Sequence, residues 1–199
     1  MQIPEPSSTM GRPRGFAPEA ALTAALDVFW RQGYAATSLD HLTEAMGLSR
    51  SSFYACFGSK HDLLMKAVEA YADAQFSALR SVAAGFSDPL AAVRAMLEAL
   101  ADAEGGVRGC FFANTVSELA PHDEPLAAFA RAHIGRLAGL VSDMLVDGGF
   151  PRDMAPPRAA ALLACAVGAT ALRKVGLAPS AIDALMSETD HLLTPPRKD

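Results

Sequence analysis

The chain has 199 residues, of which 51% are hydrophobic, and its 17 Lys and Arg against 22 Asp and Glu give a formal net charge of −5. Size and apolar content suit a globular protein with a real core, and abundant Ala and Leu with few alternating runs predict an all-α fold. The three cysteines are an odd number without metal-ligand spacing and suggest neither a disulfide framework nor a zinc site, and the longest uncharged run, residues 159–172, is short of the roughly 20 residues needed to span a membrane.

The first residues, 1–15, are rich in Pro and Ser and contain no apolar run, which predicts a disordered arm rather than a secretory signal. Arg12 and Arg14 flank Pro13 in this arm. Two readings stay open: the arginines lie in a narrow minor groove of DNA, or the arm is a solubilising tail.

Local signals divide residues 16–62 into three short helices. Pro18 opens a helix that runs to about Arg31 and ends at Gly33. Thr37 and Asp40 have the spacing of a capping box for a second helix, on which Leu39, Leu42 and Ala45 are expected to face inward before Gly47 ends it.

Ser49 is the expected N-cap of the third helix, and Phe53 and Phe57, four residues apart, are its buried side. Gly58 ends this helix, and Ser59 with Asp62 opens a fourth that runs to about Ala84. Two short helices joined by a Gly-containing turn have the form of a helix-turn-helix, whose second helix lies in the major groove of DNA.

The run GYAATSLDHLTEAMGLSRSSFYACFGSKHDLL, residues 33–64, closely resembles the DNA-binding signature of the tetracycline-repressor (TetR) family. The shared pattern is Gly-aromatic, Thr-Ser, a Gly turn, Ser, aromatic-Tyr, Phe and Ser-Lys-acid-Leu. The resemblance implies a helix-turn-helix domain at 16–62 and a larger helical domain for ligand binding and dimerisation at 63–199, linked by the fourth helix.

The resemblance also implies two kinds of DNA contact. Side chains at helix N-termini and beside the recognition helix would hold the phosphate backbone: Thr37, Ser49, Tyr54 and Lys60. Arg50 would read a base, because its guanidinium matches the two acceptors of guanine, while Ser51 and Ala55 would touch base edges or a thymine methyl. The family often has large polar residues where this chain has Ala55 and Cys56, which removes some contacts.

Beyond Asp88 the helices are expected at about 88–103, 109–119, 124–147, 156–175 and 179–193, for about nine in all. The uncharged helix around 159–172 carries small residues on most of its circumference and must be covered on several sides. Together with the last helix, which carries Ile182, Leu185, Met186 and Leu192, it is the expected homodimer interface. A dimer would present two recognition helices to a palindromic operator.

The stretch RGCFFANTVSELAPHDEPLAAFAR, residues 108–131, resembles a branch of the family that includes repressors of electrophile and oxidant detoxification genes. A thiol at a helix N-terminus, as expected for Cys110, is well placed to ionise. Arg108 would assist if it turns inward, and the resemblance places Lys174 near the thiol. The other reading is that Cys110 is an inert buried thiol.

Five apolar residues are candidates for lining a ligand pocket, with simple core packing as the other reading: Phe111, Phe112, Phe129, Met96 and Met144. The prediction is a cytoplasmic, homodimeric repressor that a small molecule or thiol modification releases from double-stranded DNA. One alternative is a reversible hydrophobic ligand with Cys110 as a bystander. The other is a cysteine-dependent enzyme, which would need His122 or His133 as a base beside Cys110. We expect no catalytic, metal, cofactor or membrane-binding site.

Overall fold

The structure, a computed structural model, describes residues 18–102 and 106–196. Within these residues the chain forms nine α-helices and no strand, which confirms the all-α prediction. The helices are α1 Pro18–Gln32, α2 Leu39–Met46, α3 Arg50–Phe57, α4 Lys60–Ala83, α5 Pro89–Ala101, α6 Phe111–Leu119, α7 Glu124–Asp147, α8 Ala155–Lys174 and α9 Pro179–Leu192. Short 3-10 turns precede and follow α6, at Gly106–Arg108 and Ala120–His122.

The start of α2 differs from the sequence prediction by one residue. Ser38 is the N-cap, with its hydroxyl oxygen accepting the His41 backbone N–H, while Nδ1 of His41 accepts the Ser38 N–H in return. Thr37 is instead buried, and its hydroxyl donates to the Gly33 carbonyl at 2.6 Å. The predicted Thr37 and Asp40 capping box is therefore wrong, because the hydroxyl of Thr37 is already bound within the preceding turn.

The first three helices and the first half of α4 surround a common core. Its buried residues include Phe29, Leu42, Phe53 and Leu63. The predicted inward position of Ala45 is wrong: that residue is exposed, and the neighbouring Met46 is buried instead. This core reaches beyond the helix-turn-helix, because residues 110–112 of the α6 region and two residues of α7 belong to it.

The second core lies between the C-terminal half of α4 and helices α5, α7 and α8. It is built from aliphatic side chains that include Leu97, Val141, Leu145 and Leu162. Helix α4 contributes to both cores, with Leu64 in the first and Leu79 in the second, so it physically joins the two halves of the molecule.

Helix α8 is the one described helix that is long and apolar enough to cross a membrane by length and composition. It packs against α5, α7 and α9, and its buried residues are mostly small or aliphatic. This is the placement of a core helix in a helical bundle.

Candidate functional site

The turn between α2 and α3 presents the N-terminal end and one face of α3 to solvent. Gly47 adopts a left-handed conformation with φ 64°, which lets the chain reverse, and the Ser49 hydroxyl oxygen accepts the Ser52 backbone N–H. Phe53 and Phe57 are buried beneath α3 as predicted. The opposite face of α3 is exposed, and it consists of Arg50, Ser51, Tyr54 and Ala55.

Arg50, the expected base reader, forms a bidentate ion pair with Asp40 of α2. Its Nε donates to Oδ1 at 3.1 Å, and its Nη2 donates to Oδ1 at 2.6 Å and to Oδ2 at 2.9 Å. The hydrogen bond to Asp40, followed by the charge of that carboxylate, raises the pKa of Arg50 above its ordinary value. Both side chains are largely exposed, so the pair lies on the outer surface beside α3.

Lys60, an expected phosphate contact, points instead to the turn before α2. Its ammonium donates to the backbone carbonyls of Tyr34 at 2.7 Å and Thr37 at 2.6 Å, and it lies 4.1 Å from the centroid of the Tyr34 ring. These contacts fix the turn that leads into the helix-turn-helix. The tyrosine on the recognition helix, Tyr54, is 56% exposed and free to reach outward.

Arg12 and Arg14 lie outside the described residues, so the minor-groove prediction stays a prediction. Cys56 is half-buried and packs against the first core, which agrees with a small residue that fills a partly buried position.

Cys110 is the N-cap residue of α6, as the sequence predicted, and its side chain is only 4% exposed. Two neutral donors contact the sulfur: the Tyr71 hydroxyl and the Gln75 amide, both at 3.7 Å. Both come from α4, so the thiol sits between α6 and the helix that joins the two cores.

The thiol belongs to the wall of an apolar cavity of about 330 Å³, which is lined by residues of α4 to α8 and opens at the surface beside the exposed side chains of Ile134 and Val167. Gln75, Cys110 and Ser117 supply its few polar atoms. The remaining lining is apolar: Leu100, Phe112, Ala113, Val116, Ile134, Leu137, Ala138, Ala160, Leu163, Ala164 and Val167.

Of the five apolar residues expected to line a pocket, Phe112 is the one found in this cavity. Phe111 packs against Trp30 in the first core, and Phe129 stacks on the ring of His133. Met96 is buried in the second core and Met144 packs against it. For these four the core-packing reading is the one that agrees with the structure.

The two cations expected near the thiol lie in different places. The Arg108 guanidinium donates to Asp27 of α1 at 2.8 Å and stacks 4.5 Å from the Trp30 ring, so the prediction that it supports the thiol is wrong. The Lys174 side chain does pass beside Gly109, but its ammonium donates to Oδ1 of Asn114 at 3.1 Å.

Helix α6 is attached at both of its ends to the part of the N-terminal domain that precedes α2. At its N-terminal end, the Trp30 indole N–H donates to the Gly109 carbonyl at 3.1 Å. At its C-terminal end, the Glu118 carboxylate accepts the backbone N–H groups of Tyr34 at 3.0 Å and Ala35 at 2.8 Å. A displacement of α6 would therefore act directly on the turn between α1 and α2.

A second connection lies between α4 and the start of α7. Asp123 caps α7 and contacts His61 of α4, with 2.5 Å between carboxylate Oδ2 and Nε2. The backbone hydrogen bond from Leu126 is the main reason that the pKa of Asp123 is lowered, and the contact with His61 acts in the same direction.

The sequence did not point to Asp40, Gln75, Trp30 or Glu118 as functional residues. The sequence could have indicated the contact of Asp40, since this acidic residue lies in the helix that precedes the one with Arg50. It gave only a weak indication for Trp30, namely that this is the one tryptophan of the chain. Within residues 18–102 and 106–196 no group of three or more His, Cys, Asp or Glu could hold a metal ion.

Two family models match the chain. The model described as bacterial regulatory proteins of the tetR family matches residues 21–67. The model described as the C-terminal domain of LmrA/YxaF-like transcriptional regulators matches residues 89–186. The first range contains α2 and α3, and the second contains α6 to α8 with all of the cavity lining except Gln75.

Curated relatives match over part of their length. The chain is 32% identical over 124 residues to the HTH-type transcriptional regulator YezE of Bacillus subtilis, and this alignment covers 60% of the chain and 63% of YezE. It is 34% identical over 125 residues to the HTH-type transcriptional repressor ComR of Escherichia coli, and this alignment covers 59% of the chain and 58% of ComR. The chain thus spans less than two thirds of either relative.

Among solved structures, a cysteine mutant of the TetR family regulator CifR, complexed with 26-base-pair operator DNA, aligns with a TM-score of 0.76 at 26% identity. The alignment covers 92% of this chain and 98% of that one. A TetR family regulator from Cytophaga hutchinsonii aligns at 0.80 with 20% identity over 88% and 92% of the chains, which shows the shared fold. The predicted helix-turn-helix domain followed by a larger helical domain is thereby confirmed.

Proposed function

The chain belongs to the TetR family of bacterial regulatory proteins, and we propose that it is a DNA-binding transcriptional regulator that acts as a homodimeric repressor. The observation that carries the proposal is the exposed face of α3 beyond the Gly47 turn, with Arg50, Ser51, Tyr54 and Ala55 free of core packing. A helix presented in this way fits the major groove, and the helix N-terminus favours the phosphates beside it.

The proposed DNA contacts fall into two sets. The first set faces the base edges and consists of Arg50, Ser51 and Ala55 of α3. The second set faces the phosphate backbone and consists of Tyr54 and the Ser49 hydroxyl. Lys60 acts mainly by holding the turn before α2, because two backbone carbonyls already bind its ammonium. Thr37 is buried and supports the same turn from within.

Dimerisation through α8 is supported by an apolar surface that the single chain leaves uncovered. The exposed large hydrophobic residues of this surface are Ile134 of α7, Val167 and Leu172 of α8, and Val175, which directly follows α8. In contrast, Ile182 of α9 is buried within the protomer, so α8 supplies the larger apolar part of the proposed interface. A two-fold axis along this surface would present two α3 helices to a palindromic site.

The apolar cavity is the proposed sensing site. It offers about 330 Å³ and three polar side chains, which suits a small, largely hydrophobic compound. Cys110 lies in its wall, so a thiol-reactive compound that enters the cavity would meet the sulfur. The competing candidate is a reversible apolar ligand with Cys110 as a bystander, and the burial of the thiol favours it.

Helix α6 is the proposed link between cavity and DNA. Phe112, Val116 and Ser117 of α6 line the cavity, and the neighbouring Glu118 binds the turn before α2. A ligand that moves α6 would change the position of α3. A hundredfold loss of DNA affinity requires a difference of about 2.7 kcal/mol between the two states.

A cysteine-dependent enzyme is not supported by the contacts of the thiol. Among the described residues, the hydrogen-bond partners of Cys110 are Tyr71 and Gln75, and neither is the histidine base that such chemistry needs. The relatives named above are transcriptional regulators or repressors.

The DNA-binding proposal is tested with the full-length protein and duplexes enriched from a random library at about 0.15 M salt. Arg50→Ala is expected to weaken binding to the enriched duplex by about 5- to 150-fold, the value of one base-reading contact. Arg80→Ala, which removes an exposed arginine from α4, is the matched control and should leave affinity within about threefold. Equal losses in both variants would contradict a specific role for α3.

The sensing proposal is tested on the same duplex with a thiol-reactive quinone. Release of the parent and of Cys165→Ser, but not of Cys110→Ser, would establish covalent sensing at Cys110. Release of all three would indicate either modification of Cys56, which all three retain, or a reversible ligand in the cavity, and Cys56→Ser separates these two because only a reversible ligand would still release it. Retention of all three would exclude this compound class as the inducer.

A further inference from the structure

The ion pair between Asp40 and Arg50 joins the two helices of the helix-turn-helix on their exposed side. Asp40 is the second residue of α2, and Arg50 is the first residue of α3. A cation at the first position of a helix is opposed by the helix dipole, so Arg50 needs a carboxylate beside it more than an arginine elsewhere does.

The geometry of the pair uses one edge of the guanidinium. Nε and Nη2 donate to Asp40, while Nη1 has no hydrogen-bond partner among the described residues. An arginine has five N–H donors in a fixed plane, and Nη2 already donates to both carboxylate oxygens of Asp40, so the two N–H groups of Nη1 are left. These two N–H groups can donate to the acceptors O6 and N7 of guanine.

We propose that Asp40 is a specificity-determining residue: it holds the guanidinium of Arg50 by its Nε and Nη2 edge, so that the Nη1 end reads a guanine in each half-site. The inference rests on the proposed function, since it assigns a task to α3 on DNA. Asp40 is a positioning residue that acts through Arg50, because it restricts the many conformations of an exposed arginine before DNA arrives.

If Asp40 acted only by repelling the DNA phosphates, its removal would have a different effect on binding. A carboxylate near the DNA surface repels phosphates, and on that basis its removal would strengthen binding to every sequence equally. Glu44 is another exposed acidic residue of α2 and forms no hydrogen bond or ion pair with Arg50 in the described part of the chain, so Glu44→Gln is the matched control for this effect.

The test is selection from a random duplex library with the full-length parent, Asp40→Asn, Arg50→Ala and Glu44→Gln, followed by affinity measurements on single-base variants of the enriched site. We expect the parent to prefer guanine at one position of each half-site by about 5- to 150-fold and Arg50→Ala to lose that preference. Asp40→Asn should lose most of the preference at the same position and keep the others, while Glu44→Gln keeps them all.

Three results would overturn the inference. Asp40→Asn could retain the guanine preference while binding all duplexes more tightly, which would make Asp40 a source of repulsion only. It could weaken every position together with a lower melting temperature, which would make its role purely structural. If the parent enriches no sequence at all, the proposed function itself fails, and this outcome differs from an enriched site that is unaffected by Asp40→Asn.

Discussion

Replacing His133 by leucine should remove a loss of stability that the parent protein suffers on acidification. His133 lies on α7 and is 1% exposed, and neither ring nitrogen has a hydrogen-bond partner within residues 18–102 and 106–196. Its ring contacts Phe112, with 4.7 Å between centroids, and stacks on Phe129. The imidazole is therefore held in apolar surroundings that suit its neutral form.

Burial is the main cause that lowers the pKa of His133 below its ordinary value of 6.5. The positive charge of Arg136 acts in the same direction, and the carboxylate of Asp73, which is paired with Arg136 at 2.9 Å, opposes it. As pH falls below 6.5, the unfolded chain binds a proton at this residue and the folded protein does not. Stability therefore falls with pH, by up to about 1.4 kcal/mol per pH unit.

The assay is urea unfolding followed by far-ultraviolet circular dichroism at several pH values from 8 down to about 5. The difference in unfolding free energy between His133→Leu and the parent should be constant above pH 6.5 and grow in favour of the variant below it. His122→Gln, which removes an exposed histidine, should run parallel to the parent. If the His133→Leu and parent curves are parallel over the whole range, the folded protein protonates His133 as readily as the unfolded chain, and burial does not lower the pKa of His133.

Three further predictions follow from named contacts. Glu118→Ala should lower the free energy of unfolding by about 1–2 kcal/mol, since two backbone N–H groups lose their carboxylate acceptor, whereas the exposed Glu188→Ala should change it by less than about 0.5 kcal/mol in the same denaturant titration. Gly47→Ala should lower the free energy of unfolding by about 1 kcal/mol because Gly47 has a left-handed φ of 64°, although the added Cβ would meet nothing within 4 Å. Gly135→Ala, in the interior of α7, should instead raise the free energy of unfolding by about 0.5–1 kcal/mol. Melting temperatures should therefore fall for the first variant and rise for the second. Peptide-level mass spectrometry after alkylation of the folded protein should find Cys110 the slowest of the three thiols, because Cys56 and Cys165 are half-buried and Cys110 is buried; labelling of all three at one rate would contradict the structure.

Contacts between the two halves of the molecule give the proposed regulation its physical basis. Glu118 of α6 binds the backbone of Tyr34 and Ala35, which lie 84 and 83 residues earlier in the chain. Trp30 donates to the carbonyl of Gly109, which lies 79 residues later. Both contacts attach α6, the helix that also lines the cavity. A ligand that binds differently to two positions of α6 would therefore shift the position of the recognition helix.

The sequence by itself determined the helices and the exposed face of α3, because those features depend on signals between neighbours. Glycine at Gly47 and the hydroxyl of Ser49 act within four residues, and the spacing of Phe53 and Phe57 defines the buried side of one helix. The same locality explains the error at the start of α2, where adjacent hydroxyl residues, Thr37 and Ser38, could each cap the helix. Only the packing of Thr37 into the preceding turn left the cap to Ser38.

Tertiary structure alone decided which side chains meet. Arg108, by its spacing, and Lys174, by the family resemblance, were both expected near the Cys110 thiol, but Asp27 and the Trp30 ring hold the first, and Asn114 holds the second. Helical periodicity tells which side of a helix is apolar, yet it does not tell which other helix covers that side. The cavity and the attachment of α6 to the part of the N-terminal domain that precedes α2 arise from contacts between residues far apart in the chain, and for that reason they could not be predicted from local patterns.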